Sequence, residues 1–194
     1  FSENDEDIGM GDVDDRVKDA VPSPEPADPV REFFNRLAGA DGEVDWQELK
    51  EILDYAMREE LKGQGFSKDV CRSMVAMLDK DQSGGLGFEE FKSLWIDLRQ
   101  WRAVYRLYDT EGRGGIPAYH LRDALHSAGY TVNAHTLNIL AQRYGSHDGY
   151  IAFDDFIMCS VRLKTMIDTF QGRSSGGAHA TFSLDEWLNR TVYA

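Results

Sequence analysis

The chain has 194 residues, with 34 acids against 21 bases and a formal charge of −13. That length can form one large helical domain or two small ones with a sizeable core. The charge disfavours nucleic acid and anionic membrane and suits a cation-binding protein; with no apolar run near the length of a membrane span, any membrane contact is expected to be transient.

Residues 1–28 contain ten acids, two bases and Pro22, Pro24 and Pro26, the profile of an acidic linker or arm. No signal-peptide pattern opens the chain, and the absence of an initiator Met at its start predicts a fragment of a longer chain. From Pro29 onward, apolar residues recur at helical spacing, broken by Gly- and Asp-rich loops about every 30–40 residues, the period of a repeat array. The periodicity predicts an all-α fold of about eight helices, at 29–37, 46–61, 67–78, 88–108, 118–128, 133–143, 153–170 and 183–191. These make five helix–loop–helix units, at about 29–61, 67–100, 98–128, 133–163 and 160–194. Each loop offers an apolar residue for a short paired strand: Val44, Leu86, Ile116, Ile151, and Ala180 or Phe182.

The first loop, AGADGEVDWQEL from Ala38, lacks an opening acid. Read one residue shorter than usual, it offers the carbonyls of Ala38 and Glu43 and the carboxylates of Asp41 and Glu48; a plain N-capped turn before the Trp46 helix is the competing reading. The second loop, residues 79–90 (DKDQSGGLGFEE), carries the sharpest signal. Calcium is a hard cation that takes oxygen ligands, which an EF-hand loop supplies from positions 1, 3 and 5, the carbonyl at 7, often a water at 9 and a bidentate Glu at 12, with Gly at 6 for the turn. Asp79, Asp81, Ser83, the carbonyl of Gly85 and Glu90 stand at those positions, with Gly84 at the turn and Gly87 leaving position 9 to water. Too many spaced positions agree for an ordinary acidic surface loop.

The third loop, DTEGRGGIPAYH from Asp109, keeps Asp109 and Gly114. Glu111 is longer than the usual Asp at position 3, Arg113 puts a cation at position 5, and His120 replaces the bidentate Glu. A guanidinium beside a doubly charged ion costs several kcal/mol of affinity at short range, so this loop is expected to be empty, with Arg113 satisfying its acids. The fourth, from Tyr144, keeps Asp148, Gly149 and Asp155 but opens on Tyr, which leaves at most a weak site. The fifth has no acid before Asp185 and is expected to hold no ion. Pairing of hands one with two and three with four leaves the fifth alone, with Met166, Phe170, Phe182, Leu184, Trp187 and Leu188 as an exposed apolar face; a two-fold dimer through this hand is the economical way to cover it.

Five hands, a first loop opening on Ala, an intact second loop and a metal-free fifth resemble the penta-EF-hand family, and within it the C-terminal calcium-binding domain of a calpain large subunit. The phrases FFNRLAGADGEVDWQELKEIL, GFSKDVCRSMVAMLDKDQSGGLGFEEFKSLW, FDDFIMCSVRL and DEWLNRTVYA carry the likeness across nearly the whole chain. The resemblance implies a regulatory and dimerising module of a calcium-dependent cytoplasmic cysteine protease, with the catalytic Cys, His and Asn in domains outside this sequence. It implies about two calcium sites, in the first and second hands. The third hand of the family usually binds as well, and here only Asp109 and Glu111 survive as ligands. The implied partner is a second copy or a penta-EF-hand small subunit; a groove around Trp95 for a helical inhibitor peptide is a further expectation. A free-standing calcium-dependent adaptor and a mainly structural dimerisation module are the alternatives.

No enzyme site is visible in these residues. The five histidines are scattered without zinc spacing, and no Gly-rich phosphate loop appears. Cys71 and Cys159 lie in apolar helical stretches and are expected to be buried free thiols, which fits a reducing cytosol.

Overall fold

The computed structural model describes residues 28–192. The acidic arm expected over 1–28 therefore lies outside the described residues except for Asp28. Among the described residues the elements run α1 (Pro29–Leu37), α2 (Trp46–Ala56), α3 (Arg58–Leu61), α4 (Lys68–Leu78), α5 (Phe88–Tyr108), β1 (Gly115–Pro117), a 3-10 turn (Ala118–His120), α6 (Leu121–Ser127), α7 (Ala134–Tyr144), β2 (Tyr150–Ala152), α8 (Phe153–Arg173) and α9 (Leu184–Thr191).

Local chemistry sets most helix starts. Asp28 accepts from Val30 N at 3.0 Å with Pro29 as the first helical residue, and Asn133 accepts from Thr136 N at 2.8 Å. Each cap satisfies an amide that the helix itself leaves unpaired. Neither long helix contains an internal Pro, and α5 and α8 each run unbroken for 21 residues, joining successive hands. The α8 helix runs three residues past the predicted 170.

Two predicted helices are corrected. The single helix over 46–61 is broken at Met57 (φ −115°, ψ 21°). There the Tyr55 carbonyl accepts from Arg58 Nη1 at 2.8 Å, and the short α3 beyond it is drawn to α5 by Glu60, which accepts from Arg102 Nε at 2.8 Å and from Arg106 Nε. Those partners lie over forty residues away, so no local pattern announces the break. The helix predicted over 118–128 begins as a 3-10 turn and becomes α-helical only at Leu121. In the first two hands a glutamate brackets the first turn by accepting the cap amide; here the residue at that cap is Pro117, which has no N–H, and His120 stands where the glutamate would be.

The loops pair as expected for two pairs of hands. Val44 and Leu86 exchange backbone hydrogen bonds of 3.0 and 2.9 Å, and β1 runs antiparallel to β2 with Ile116 opposite Ile151. All four of these apolar residues are fully buried, so each strand pair caps the core beneath its two loops. No strand is assigned over 178–183, where the fifth hand's was expected. The core runs from Phe34 and Phe91 through Trp101 and Tyr105 to Phe153 and Phe156, and the Tyr105 ring meets Phe153 edge-on at 4.9 Å. Burying such rings is the main stabilising contribution, on the order of 2 kcal/mol for each fully buried large apolar side chain.

Cys71 and Cys159 are buried free thiols, and burial pushes both up to about 12. Such thiols are inert as nucleophiles. No described helix is long and apolar enough to cross a membrane.

Candidate metal centre

The second loop leaves α4 at Asp79 and enters α5 at Phe88. Asp79 folds the chain back on itself: its Oδ1 accepts from Ser83 N at 3.0 Å and its Oδ2 from Gly84 N at 2.8 Å. The turn requires left-handed backbone at Gln82 (φ 59°) and Gly84 (φ 98°), the second a conformation that favours glycine. Asp81 Oδ1 accepts from Ser83 N at 3.1 Å, and the Ser83 hydroxyl lies 3.4 Å from Asp79 Oδ1 and 3.3 Å from the Gly85 carbonyl. Glu90 closes the ring, its Oε1 accepting from Lys80 N at 2.8 Å and its Oε2 from Gly87 N at 3.1 Å. Asp79, Asp81 and Glu90 each bring a carboxylate oxygen within 4.8 Å of the others. Ser83, and then Asp79, hold the Asp81 carboxyl below its ordinary value, so it is ionised at neutral pH. Three carboxylates, a hydroxyl and a carbonyl converge on one point: a donor set of hard oxygens that fits calcium.

The first loop shows a smaller convergence. Asp41 Oδ1 accepts from Glu43 N at 3.2 Å, and Gly39 N donates to the Glu43 carbonyl at 3.2 Å. Glu48 turns its two oxygens to different places. Its Oε2 completes a capping box by accepting from Asp45 N at 2.9 Å, while Oε1 faces the loop. A Cβ built on Gly39 would lie 3.2 Å from Asp41 Oδ1 and 3.3 Å from Glu48 Oε1, so these two carboxylates close over the same backbone point. Two carboxylates beside the Glu43 carbonyl form a sparser set of hard oxygens than that of the second loop.

The third loop repeats the second in its backbone and departs in its charges. Asp109 Oδ1 accepts from Arg113 N at 3.1 Å and Oδ2 from Gly114 N at 3.0 Å, with Gly112 (φ 60°) and Gly114 (φ 79°) in the left-handed region. Glu111 is already engaged: Arg113 Nε lies 2.6 Å from its Oε2, and the Tyr150 hydroxyl donates to the same oxygen at 3.4 Å. This set does not fit calcium. In the fourth loop the Ser146 hydroxyl bonds Asp148, whose carboxyl it holds below its ordinary value, and also lies 2.7 Å from the Tyr150 carbonyl. Tyr144 is buried, its hydroxyl accepting from Arg162 at 2.7 Å, and burial with Asp154 nearby pushes Asp155 up to about 6. A carboxyl whose burial disfavours its ionised form and a Ser-bound one make a poor calcium cage.

At the fifth hand, α9 buries no residue. Leu184 is 72 % exposed and Trp187 and Leu188 50 % each, Met166 and Phe170 are exposed on α8, and the Phe182 ring lies 5.6 Å from Trp187. A concavity of about 480 Å³ lined by Met166, Ile167 and Phe170 opens beside them. Trp95 is partly buried between Phe33 (5.1 Å between ring centroids) and Phe91 (6.1 Å).

Sequence reasoning missed Lys62, the residue just past the end of α3. The stem of Lys62 crosses the third loop, where a Cβ on Gly114 would lie 3.0 Å from its Cγ. The only local hint was a lysine at a helix end before Gly63, which says nothing about what it touches.

The model of an EF-hand domain pair matches residues 40–98, the span of the first two hands' loops. Calpain-B of Drosophila melanogaster is 53 % identical over 203 aligned positions that take in the whole chain and 22 % of calpain-B. Calpain small subunit 1 of Homo sapiens is 41 % identical over 84 % of this chain and 62 % of its own length. The chain thus spans about a fifth of one of these relatives and under two thirds of the other. Among solved structures, a homolog of programmed cell death 6 protein from Leishmania major Friedlin is 26 % identical, with a TM-score of 0.61 over 86 % of this chain and 90 % of that one.

Proposed function

The chain belongs to the penta-EF-hand family as a calpain-type EF-hand domain, and from that premise we propose that it is the calcium-binding regulatory and dimerisation domain of a calcium-dependent cysteine protease. The observation that carries this is the clustering of Asp79, Asp81 and Glu90 within 4.8 Å, joined by Ser83 and the Gly85 carbonyl. The first hand would hold a second ion through the carbonyls of Ala38 and Glu43 with Asp41 and Glu48. Calcium, when bound, supplies a doubly charged centre for which these oxygens compete with their present amide partners. The pairing of Val44 with Leu86 couples the two loops, so that a change of Glu48 or Glu90 is felt by both.

The exposed face of Met166, Phe170, Leu184, Trp187 and Leu188 supports dimerisation through the fifth hand, with a second copy or a small subunit of the same fold. The partly buried Trp95 with its aromatic neighbours is the seat proposed for a helical inhibitor peptide. Two buried free thiols fit a cytoplasmic setting.

Titration calorimetry with calcium on the chain and on its Glu48→Gln and Glu90→Gln variants tests the metal assignment. About two sites are expected, each removed by its own substitution. Binding that survives Glu90→Gln at full stoichiometry refutes the second-hand site. Sedimentation of Trp187→Asp checks the other half: a shift from dimer to monomer is expected, and an unchanged mass refutes the fifth-hand interface.

A further inference from the structure

We propose that the third hand is closed by the protein's own cation, with Arg113 from inside the loop standing where a metal charge would act, so that calcium governs only the first pair of hands. The inference rests on reading the chain as a calcium-binding domain and says which part of it responds.

The second and third loops make the same turn, so the third is not distorted away from metal binding. Position 1 accepts the same two amides, from positions 5 and 6, at distances within about 0.2 Å. Positions 4 and 6 are left-handed in both. What differs is charge. Position 5 offers the Ser83 hydroxyl in the second loop, whereas in the third it carries Arg113, whose Nε lies 2.6 Å from Glu111 Oε2. Arg113 also faces the Tyr150 ring at 5.9 Å, which sets the guanidinium over the strand pair of the third and fourth loops. From the other side, the carbon stem of Lys62 packs across Gly114, with its Cε 3.3 Å from the point a Cβ would occupy. Glu111 therefore already meets a positive charge from within its own loop before any ion arrives.

Arg113 is 67 % exposed, so its pair with Glu111 adds little to stability. Its effect is on occupancy. An entering divalent ion meets a like charge anchored at a ligand position and finds no acid at position 12, where His120 stands beside Tyr119 at 4.4 Å. The backbone needs no ion to keep its shape, because Asp109 and the two glycines already hold it. The paired third and fourth loops thus form a platform that keeps one geometry at every calcium level, and Lys62 seats α3 of the first hand on it.

The test is calcium stoichiometry on four chains: the natural one, Arg113→Asp with His120→Glu, Glu48→Gln with Glu90→Gln, and the last pair with Asp109→Asn added. Restoring anionic oxygens at positions 5 and 12 is expected to add one site to the natural count, whatever that count is. The pair lacking Glu48 and Glu90 is expected to show no binding up to about 1 mM calcium, a concentration at which weak extracellular-type hands fill. A site that survives in that pair and vanishes with Asp109→Asn overturns the proposal, as does a restored loop that gains nothing while its circular dichroism matches the natural chain. Should the restored loop fail to fold, amide exchange at Gly114 in the natural chain decides: equal protection with and without calcium supports the internal cation, and protection that rises with calcium overturns it. Fewer than two sites in the natural chain, together with a gained site in the restored one, would remove the functional reading above and leave this one standing.

Discussion

The second and third loops are joined by a single helix, α5, which starts at the end of one and stops at the start of the other. They share the opening aspartate, its two amide partners and two left-handed residues. One gathers three carboxylates around a hydroxyl and a carbonyl, while the other folds a guanidinium onto its own glutamate. An Asp at position 1 with Gly at position 6 is enough to wind this turn, because the bonds that shape it are from backbone amides to one carboxylate. The side chains at positions 5 and 12 then set whether the turn gathers anionic oxygens or carries its own cation. Loop shape and ligand charge are separate properties here.

The sharpest way to break that comparison is to remove the bidentate arm. Glu90→Gln is expected to weaken calcium binding at the second loop at least about a hundredfold, roughly 3 kcal/mol, with the metal-free fold retained; calorimetry and circular dichroism measure the two halves. The helix linking the loops offers the next test. Glu60, whose side chain is 4 % exposed, would be pushed up by burial alone, but the bond from Arg102, then its own backbone amide and then Arg106 outweigh that and hold it below its ordinary 4.5. A lowered carboxyl contributes stability that is present above about 4.5 and lost as pH falls below it. Glu60→Gln is therefore expected to cost about 3 kcal/mol at pH 7, by urea unfolding in chelator, and progressively less as pH drops below 4.5.

Strand residues separate shape from occupancy. Leu86 and Ile116 are each fully buried under their loops, so either change to Ala is expected to cost about 3 kcal/mol of stability. Only Leu86→Ala should also reduce calcium affinity, and an equal reduction from Ile116→Ala would erase the distinction between the loops. The smallest effect concerns the turn. Gly84→Ala and Gly114→Ala each place a Cβ on left-handed backbone, at about 1 kcal/mol. The Gly114 change is expected to cost somewhat more, because its Cβ meets the Lys62 stem while Gly84 has open space, and thermal melts of the metal-free chains compare them.

Much of this was legible in the chain. The helical spacing placed α5, α7 and α8 to within a few residues, and the apolar residues assigned to the loop strands, Val44 with Leu86 and Ile116 with Ile151, do pair. The charge departures of the third loop, Arg113 and His120, stood in the chain itself, and the pairing of Arg113 with Glu111 is seen in the fold. The break at Met57 was not legible there, since Arg102 and Arg106 pull on Glu60 from over forty residues away. Nor was the double use of Glu48, which caps α2 with one oxygen and faces the loop with the other.

What the sequence determined by itself is what short-range chemistry controls: which segments wind into helices, which loops turn at an Asp and a Gly, and which of those loops carry anionic oxygens at ligand spacing. The tertiary structure alone decided where distant charges come to rest. It seated Glu60 between two arginines of α5 and laid Lys62 over the third loop, because those contacts depend on how α3 packs and not on any residue beside them in the chain.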